Sequence, residues 1–213
     1  MTFVGSVDGE LRAVADNLDT LKHAHTGIAD NIGFERMLSL VLKIGNYLNH
    51  GTAKGRAKGY RLGVLQQLKD FKPRTRGQPL LQFVIDVLRQ EAHKTKNIDV
   101  LNFTNQFEPC VAACKLDLDA LRSRITEIQQ SANALTKLID QVRDDDGYAR
   151  ALVDAYANKS YQIQGKISYV KDQLEATLAN VEAQKVRFCE ADTDTPDFLN
   201  IFAQFGTVFG RTL

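Results

Sequence analysis

The sequence predicts an all-α protein: a compact helical part, then long antiparallel coiled-coil helices, then a docked C-terminal helix. Three observations carry that prediction. Apolar residues recur at steps of three and four along nearly the whole chain, the period of a helix and not of a strand. Only four prolines occur in 213 residues, and Pro73, Pro79 and Pro196 fall where that period breaks. From Val111 to Val142 the apolar residues keep heptad spacing for over four repeats, the mark of a helix seeking a long partner.

Each element follows from its own pattern. Leu11, Val14, Leu18 and Leu21 predict a first helix from about Val7 to His25. Asn31 and Gly33 punctuate the chain before a second, in which Phe34, Met37, Leu38, Val41, Ile44, Gly45 and Leu48 share a face. Leu40 and Tyr47 broaden that face, as in a helix touched on more than one side. A flexible basic loop, HGTAKGRAKGY, leads to a short apolar segment from Leu62 to Leu68. After KDFKPRTRGQP a helix is expected from Leu80 to about His93, and a shorter one from Ile98 to Phe107. Pro109 suits the first turn of the next helix, whose seam includes Val111, Cys114, Leu118, Leu121, Ile125, Ile128, Ala132, Leu135, Ile139 and Val142. Read as one helix, it is about 50 Å long at ~1.5 Å per residue. RDDDGY ends it, with Asp144, Asp145 and Asp146 favourable to the following helix. Ile163, Ile167, Val170, Leu174, Leu178 and Val181 then form a second seam, and a short connection makes the two helices antiparallel. Asp192 to Asp194 break the pattern before Phe198, Phe202, Phe205 and Phe209. The expected divisions are residues 1–108, compact and helical; 109–190, long antiparallel helices; and 191–213, the C-terminal helix.

The composition narrows the function classes. A chain of this length buries roughly 70% of its unfolded surface. No apolar run approaches the ~18 residues that cross a bilayer, and the first residues lack a signal peptide's basic start and apolar middle. Three cysteines, Cys110, Cys114 and Cys189, fit a reducing compartment, so a cytoplasmic protein is expected. The net charge of +1 hides an asymmetry. Gly51 to Gln78 carry eight Lys or Arg residues against Asp70 alone, leaving 19 basic and 25 acidic residues elsewhere. A basic patch on an acidic body suits an acidic partner.

Catalytic chemistry finds little support. Gly51, Gly55 and Gly59 lack the Gly-Lys-Ser/Thr ending of a phosphate loop. His23, His25, His50 and His93 have no metal-ligand spacing, and Cys110 and Cys114 read as small core residues. Neither a metal nor a cofactor is expected, and no enzyme. Only Tyr60 and Phe71 interleave the basic residues, which disfavours nucleic acid. The phenylalanine stripe lacks the flanking cations of a membrane-surface helix.

The order of motifs is more specific than any one of them. LKIGNYLN, a glycine-rich basic loop, GYRLGVLQQLKDFK, PLLQFVIDVL and the closing FCEADTDTPDFLNIFAQFGTVF resemble the C-terminal half of the formin homology 2 domain. The similarity covers nearly the whole chain from about residue 10. The resemblance implies a non-enzymatic actin-assembly module of the cytoplasmic actin cytoskeleton, contributing to filament nucleation and to barbed-end elongation or capping. Domains of this family pair as a ring in which a lasso, anchored by tryptophan, wraps the partner's post. By resemblance, Gly45, Asn46, Tyr47 and Asn49 belong to the post surface that receives the lasso. By resemblance, Lys72 matches the family's actin-contacting lysine and Arg61 stands at the lysine position of the family's G-F-K, keeping the charge, with Lys54, Lys58, Arg74 and Arg76 as further actin-binding candidates. The implied partners are actin and a second formin homology 2 chain, and neither nucleic acid nor membrane. The chain holds no tryptophan and nothing before GNYLN long enough for lasso, linker and knob, so on this reading it is not expected to close the ring with itself. The alternative is a helical coiled-coil scaffold, or an interfering fragment without actin-assembly activity.

Overall fold

The computed structural model describes residues 3–72, 77–143 and 150–213. Pro73, Arg74, Arg76 and the Asp144–Asp146 triplet lie outside them. The described residues are helical, with no strand among them: α1 (Phe3–Ala29), α2 (Ile32–Leu48), α3 (Gly63–Gln67), α4 (Leu80–Thr95), α5 (Asp99–Asn102), a 3-10 turn at Phe103–Phe107, α6 (Glu108–Ala113), α7 (Leu118–Arg143), α8 (Arg150–Arg187) and α9 (Thr195–Thr212). The chain divides into two compact units, one of residues 1–19 with 116–179, the other of residues 20–115 with 180–213.

In the first unit the heptad positions behave as their spacing demands. Leu121, Ile125, Ile128, Ala132 and Ile139 on α7 are buried, as are Ile163, Ile167, Val170, Leu174 and Leu178 on α8. Antiparallel order is read from the polar pairs. Arg122 bonds Glu175 at 3.2 Å, Gln129 bonds Gln164 at 2.6 Å, and Thr136 meets Ser160 at 2.8 Å. Positions rise on one helix as they fall on the other. The start of α1 adds a third helix here. Val7, Leu11, Val14 and Leu18 are buried, Asp8 pairs with Lys166 at 2.7 Å and Glu10 with Arg124 at 3.0 Å. The Lys166 hydrogen bond holds the Asp8 carboxyl below its ordinary pKa.

One expectation is corrected. The seam from Val111 to Val142 is not a single helix: α6 ends at Ala113 and α7 begins at Leu118. Val111 is exposed and Cys114 half-buried. The break has a local cause. The Asp117 carboxylate accepts the Ala120 N–H at 2.9 Å and its carbonyl accepts that of Leu121 at 3.0 Å, the arrangement of a helix N-cap. The 26 residues of α7 therefore span about 39 Å at ~1.5 Å per residue.

The second unit is organised around Phe34 on α2. Its ring lies 5.1 Å from Phe107, edge to face, 5.4 Å from Phe202 and 6.0 Å from Phe188. All four stripe residues of α9, Phe198, Phe202, Phe205 and Phe209, are buried. This is core packing, and it explains the stripe's steps of four, three and four. Asn31 ties the corner between α1 and α2. Its Oδ1 accepts from the Phe34 N–H at 2.9 Å, while Nδ2 donates to the carbonyls of Gly27 at 3.1 Å and Phe103 at 2.9 Å. A buried amide so satisfied fixes the corner without a desolvation penalty. Nearby, Gln184 donates to the His25 carbonyl at 2.9 Å. His25 Nδ1 and Gln184 Oε1 are buried without hydrogen-bond partners. Burial lowers the His25 pKa, opposed by Asp30. Burial also pushes the Cys110 thiol up to about 12, in keeping with a core residue.

Candidate functional site

The segment from Gly45 to Phe83 builds a groove rather than a plain packed surface. It has a volume of about 610 Å³ and is lined by residues of α2, the loop after it, α3 and its C-cap Leu68, by Phe71, Lys72 and Gln78, and by the start of α4. Val41 and Leu68 are buried at its base, whereas Leu48, Phe71 and Phe83 stand exposed along it. Apolar side chains so placed could be covered by folding at little cost. They are left open here, the usual sign of an interaction surface.

The amphipathic pattern of α2 explains why. One stripe, Phe34, Met37 and Val41, enters the core. The helix continues past the core for two more turns, so Gly45 and Leu48 face the groove and Leu48 is 68% exposed. Gly45 keeps the floor low. A Cβ built there would meet nothing within 4 Å, so glycine is not demanded by the fold. The space a side chain would occupy is the groove itself.

The basic loop forms one wall, and it is held in shape by named bonds. Asn46 donates Nδ2–H to the Ala57 carbonyl and accepts the Ala57 N–H on Oδ1, both at 2.9 Å. Asn49 caps α2, donating from its side chain to the Gly45 carbonyl at 2.8 Å. Thr52 closes a turn onto the Asn49 carbonyl at 2.8 Å. At Gly55 a Cβ would lie 2.2 Å from the Asn49 carbonyl oxygen, so this glycine is required by close approach. Tyr60 donates to the Leu38 carbonyl at 3.0 Å, and burial pushes its phenol well above the usual range. The flexible loop expected from composition is thus a folded strap.

The candidate residues separate by what they do in the fold. Arg61 bonds Asp192 at 2.7 Å and lies 3.9 Å from Glu190. The Asp192 hydrogen bond raises its pKa further. Glu190, itself buried, accepts the Leu62 N–H at 2.8 Å, so this pair fastens the strap to the turn before α9. Asn46 and Asn49 have the intramolecular bonds just described. Tyr47 is 81% exposed. Lys54 and Lys72 line the groove. Lys58 is exposed. Arg74 and Arg76 fall outside the described residues. The apolar groove wall itself, Val64, Leu68, Phe71 and Phe83, escaped the sequence reading. Val64 and Leu68 come from one short segment and Phe71 and Phe83 from two others, and only Phe71, an aromatic within a charged stretch, hinted at exposure.

Among the described residues no helix is long and apolar enough to cross a membrane.

Known proteins give this geometry its context. The Formin Homology 2 Domain family model matches residues 1–210. Human protein diaphanous homolog 3 is 23% identical over 210 residues, covering 94% of this chain and 17% of that protein. Formin-like protein 18 of Arabidopsis thaliana is 31% identical over 124 residues, covering 58% of this chain and 10% of the relative. Formin-F of Dictyostelium discoideum is 25% identical over 183 residues, covering 85% and 14%. The chain thus spans about a sixth or less of the length of these relatives. With the family pattern running through both compact units, the chain belongs to the formin homology 2 family, whose general role is in actin assembly.

Proposed function

We propose that this chain serves as the post and coiled-coil part of a formin homology 2 domain, contributing to nucleation and barbed-end elongation or capping of actin filaments. It acts by holding subunits in place, not by catalysis. The observation that supports this most is the open apolar groove beneath Gly45. It is a preformed receptor for a segment of another formin homology 2 chain. Tyr47 at its edge offers an aromatic face to the same segment. The exposed cations Lys58 and Lys72 are the actin-facing set.

Gly45→Leu tests the receptor role, because it fills the groove without touching the core. It should leave the melting temperature unchanged or slightly raised, since glycine is a poor interior helix residue. It should also abolish dimer formation in the ultracentrifuge when the groove variant is combined with a complete formin homology 2 partner. Undiminished pairing would remove the groove from the interface. For actin, Lys58→Glu with Lys72→Glu should reduce co-sedimentation with filaments, most visibly at low salt. Arg61→Glu alone is a poor test, since it also breaks the Asp192 pair. The exchange Arg61→Glu with Asp192→Arg keeps a pair while moving the charge.

A further inference from the structure

The seam of the first unit runs out into an open face. Leu138, Ile139 and Val142 on α7, with Leu152, Val153 and Tyr156 on α8, line a cleft of about 280 Å³ whose walls are apolar. Leu138 is 57% exposed, Leu152 54% and Tyr156 45%. Two heptads further from the α7–α8 connection, the same positions are covered. A step of fourteen residues leads from Leu138, Ile139 and Val142 to Arg124, Ile125 and Ile128, and from Leu152, Val153 and Tyr156 to Lys166, Ile167 and Val170. Ile125, Ile128, Ile167 and Val170 are all buried. The cations at the two edges are held by α1, Arg124 by Glu10 at 3.0 Å and Lys166 by Asp8 at 2.7 Å. The cleft therefore continues a groove that, one stretch along, already takes a helix.

The two ends of that groove differ in chemistry. Leu138 and Leu152 stand at the heptad positions of Arg124 and Lys166. A helix carrying carboxylates like those of α1 would strand them against leucine here, whereas apolar side chains would be buried. On α1 those carboxylates, Asp8 and Glu10, lie between the buried Val7 and Leu11. We propose that the open end of the α7–α8 hairpin is a docking cleft for an amphipathic helix of a partner protein, with bulky apolar residues at positions i, i+1, i+3 and i+4. The inner pair takes the places that Asp8 and Glu10 hold on α1, which gives the partner a broader apolar face. A second copy of this chain fits less well. Its matching surface is also a cleft, and helix packing sets ridges into grooves, not grooves onto grooves. The cleft lies wholly within the first unit, so the proposal stands apart from the reading of the groove beneath Gly45.

Two synthetic peptides of about 15 residues, alike except at two positions, are titrated against the full chain by fluorescence polarisation. One carries leucine at i, i+1, i+3 and i+4. The other keeps leucine at i and i+4 but has Asp at i+1 and Glu at i+3, the order found on α1. Wild type should bind the all-leucine peptide at least about ten-fold more tightly, the effect of burying two leucines instead of two carboxylates. Leu138→Arg with Leu152→Lys copies the covered end and should reverse the preference. Both positions are exposed, so the melting temperature should not move. Gly45→Leu should leave both affinities unchanged. Failure of wild type to bind either peptide, or an unaltered preference in the double variant, would overturn the proposal. Loss of binding in Gly45→Leu would place the peptide in the other groove and overturn it too. So would self-association in the ultracentrifuge that the double variant abolishes, since the cleft would then belong to a second copy.

Discussion

Single side chains at this site carry two kinds of duty, and their partners tell them apart. Asn46 is a loop fastener: it makes both of its hydrogen bonds to one residue, Ala57, eleven positions on. Asn46→Ala should cost about 1 kcal/mol, because the bonds are exposed and each is replaced by water. Its clearer sign should be faster amide exchange between Asn49 and Arg61, with exchange in α9 unchanged. Uniform exchange across both segments would show that the strap is not held at this point. His25 is a different case. Burial depresses its folded pKa from the ordinary value of 6.5, so the folded state resists the proton that the unfolded chain accepts. Its contribution is complete above about pH 6.5 and is lost as pH falls through that value towards the folded pKa. In urea titrations the midpoint should drop between about pH 7 and about pH 5, and His25→Gln should flatten that drop. An equal drop in the variant would assign it to other groups. Neither role was legible in the sequence. An asparagine in GNYLN and a histidine on a helix look the same whether they face a partner, a loop or the interior of the fold.

Elements were legible in proportion to the length of their period. The seams of α7 and α8 repeat often enough that the buried positions follow directly from their spacing, and the α9 stripe is equally explicit. The α6–α7 break was hidden because Val111, Cys114 and Leu118 happen to continue the heptad across it. Only Asp117, a good capping residue three positions before Ala120, marks the new start. Asp117→Ala should destabilise the α7 start by about 1 kcal/mol. The effect is to be read as earlier exchange of the Ala120 and Leu121 amides, and protection as in wild type would mean that the cap is redundant. The groove illustrates the opposite limit. Separate stretches of chain between Val41 and Phe83 meet there, and no periodicity in any one of them announces the others. The long-range tie between Arg61 and Asp192 has no sequence signature at all.

At the scale of the molecule, the largest fully buried side chains among the described residues are the phenylalanines of the second unit. Phe34 touches five other phenylalanine rings, drawn from the 3-10 turn, the end of α8 and α9. Phe34→Ala should therefore cost about 3–5 kcal/mol, measured by chemical denaturation, and should destroy the groove along with the core because α2 serves both. A loss below about 1 kcal/mol would mean that the neighbouring rings collapse into the space. The groove's lining contributes one more property, an optical one. Nothing in the chain absorbs or emits as an indole does, since its aromatic residues are phenylalanine and tyrosine alone. A peptide with a single tryptophan arriving in the groove would bring the sole indole fluorophore of that complex. Its emission would move to the blue as water is stripped from the ring, so the occupancy of this surface can be followed without a label, by light that the protein itself does not produce.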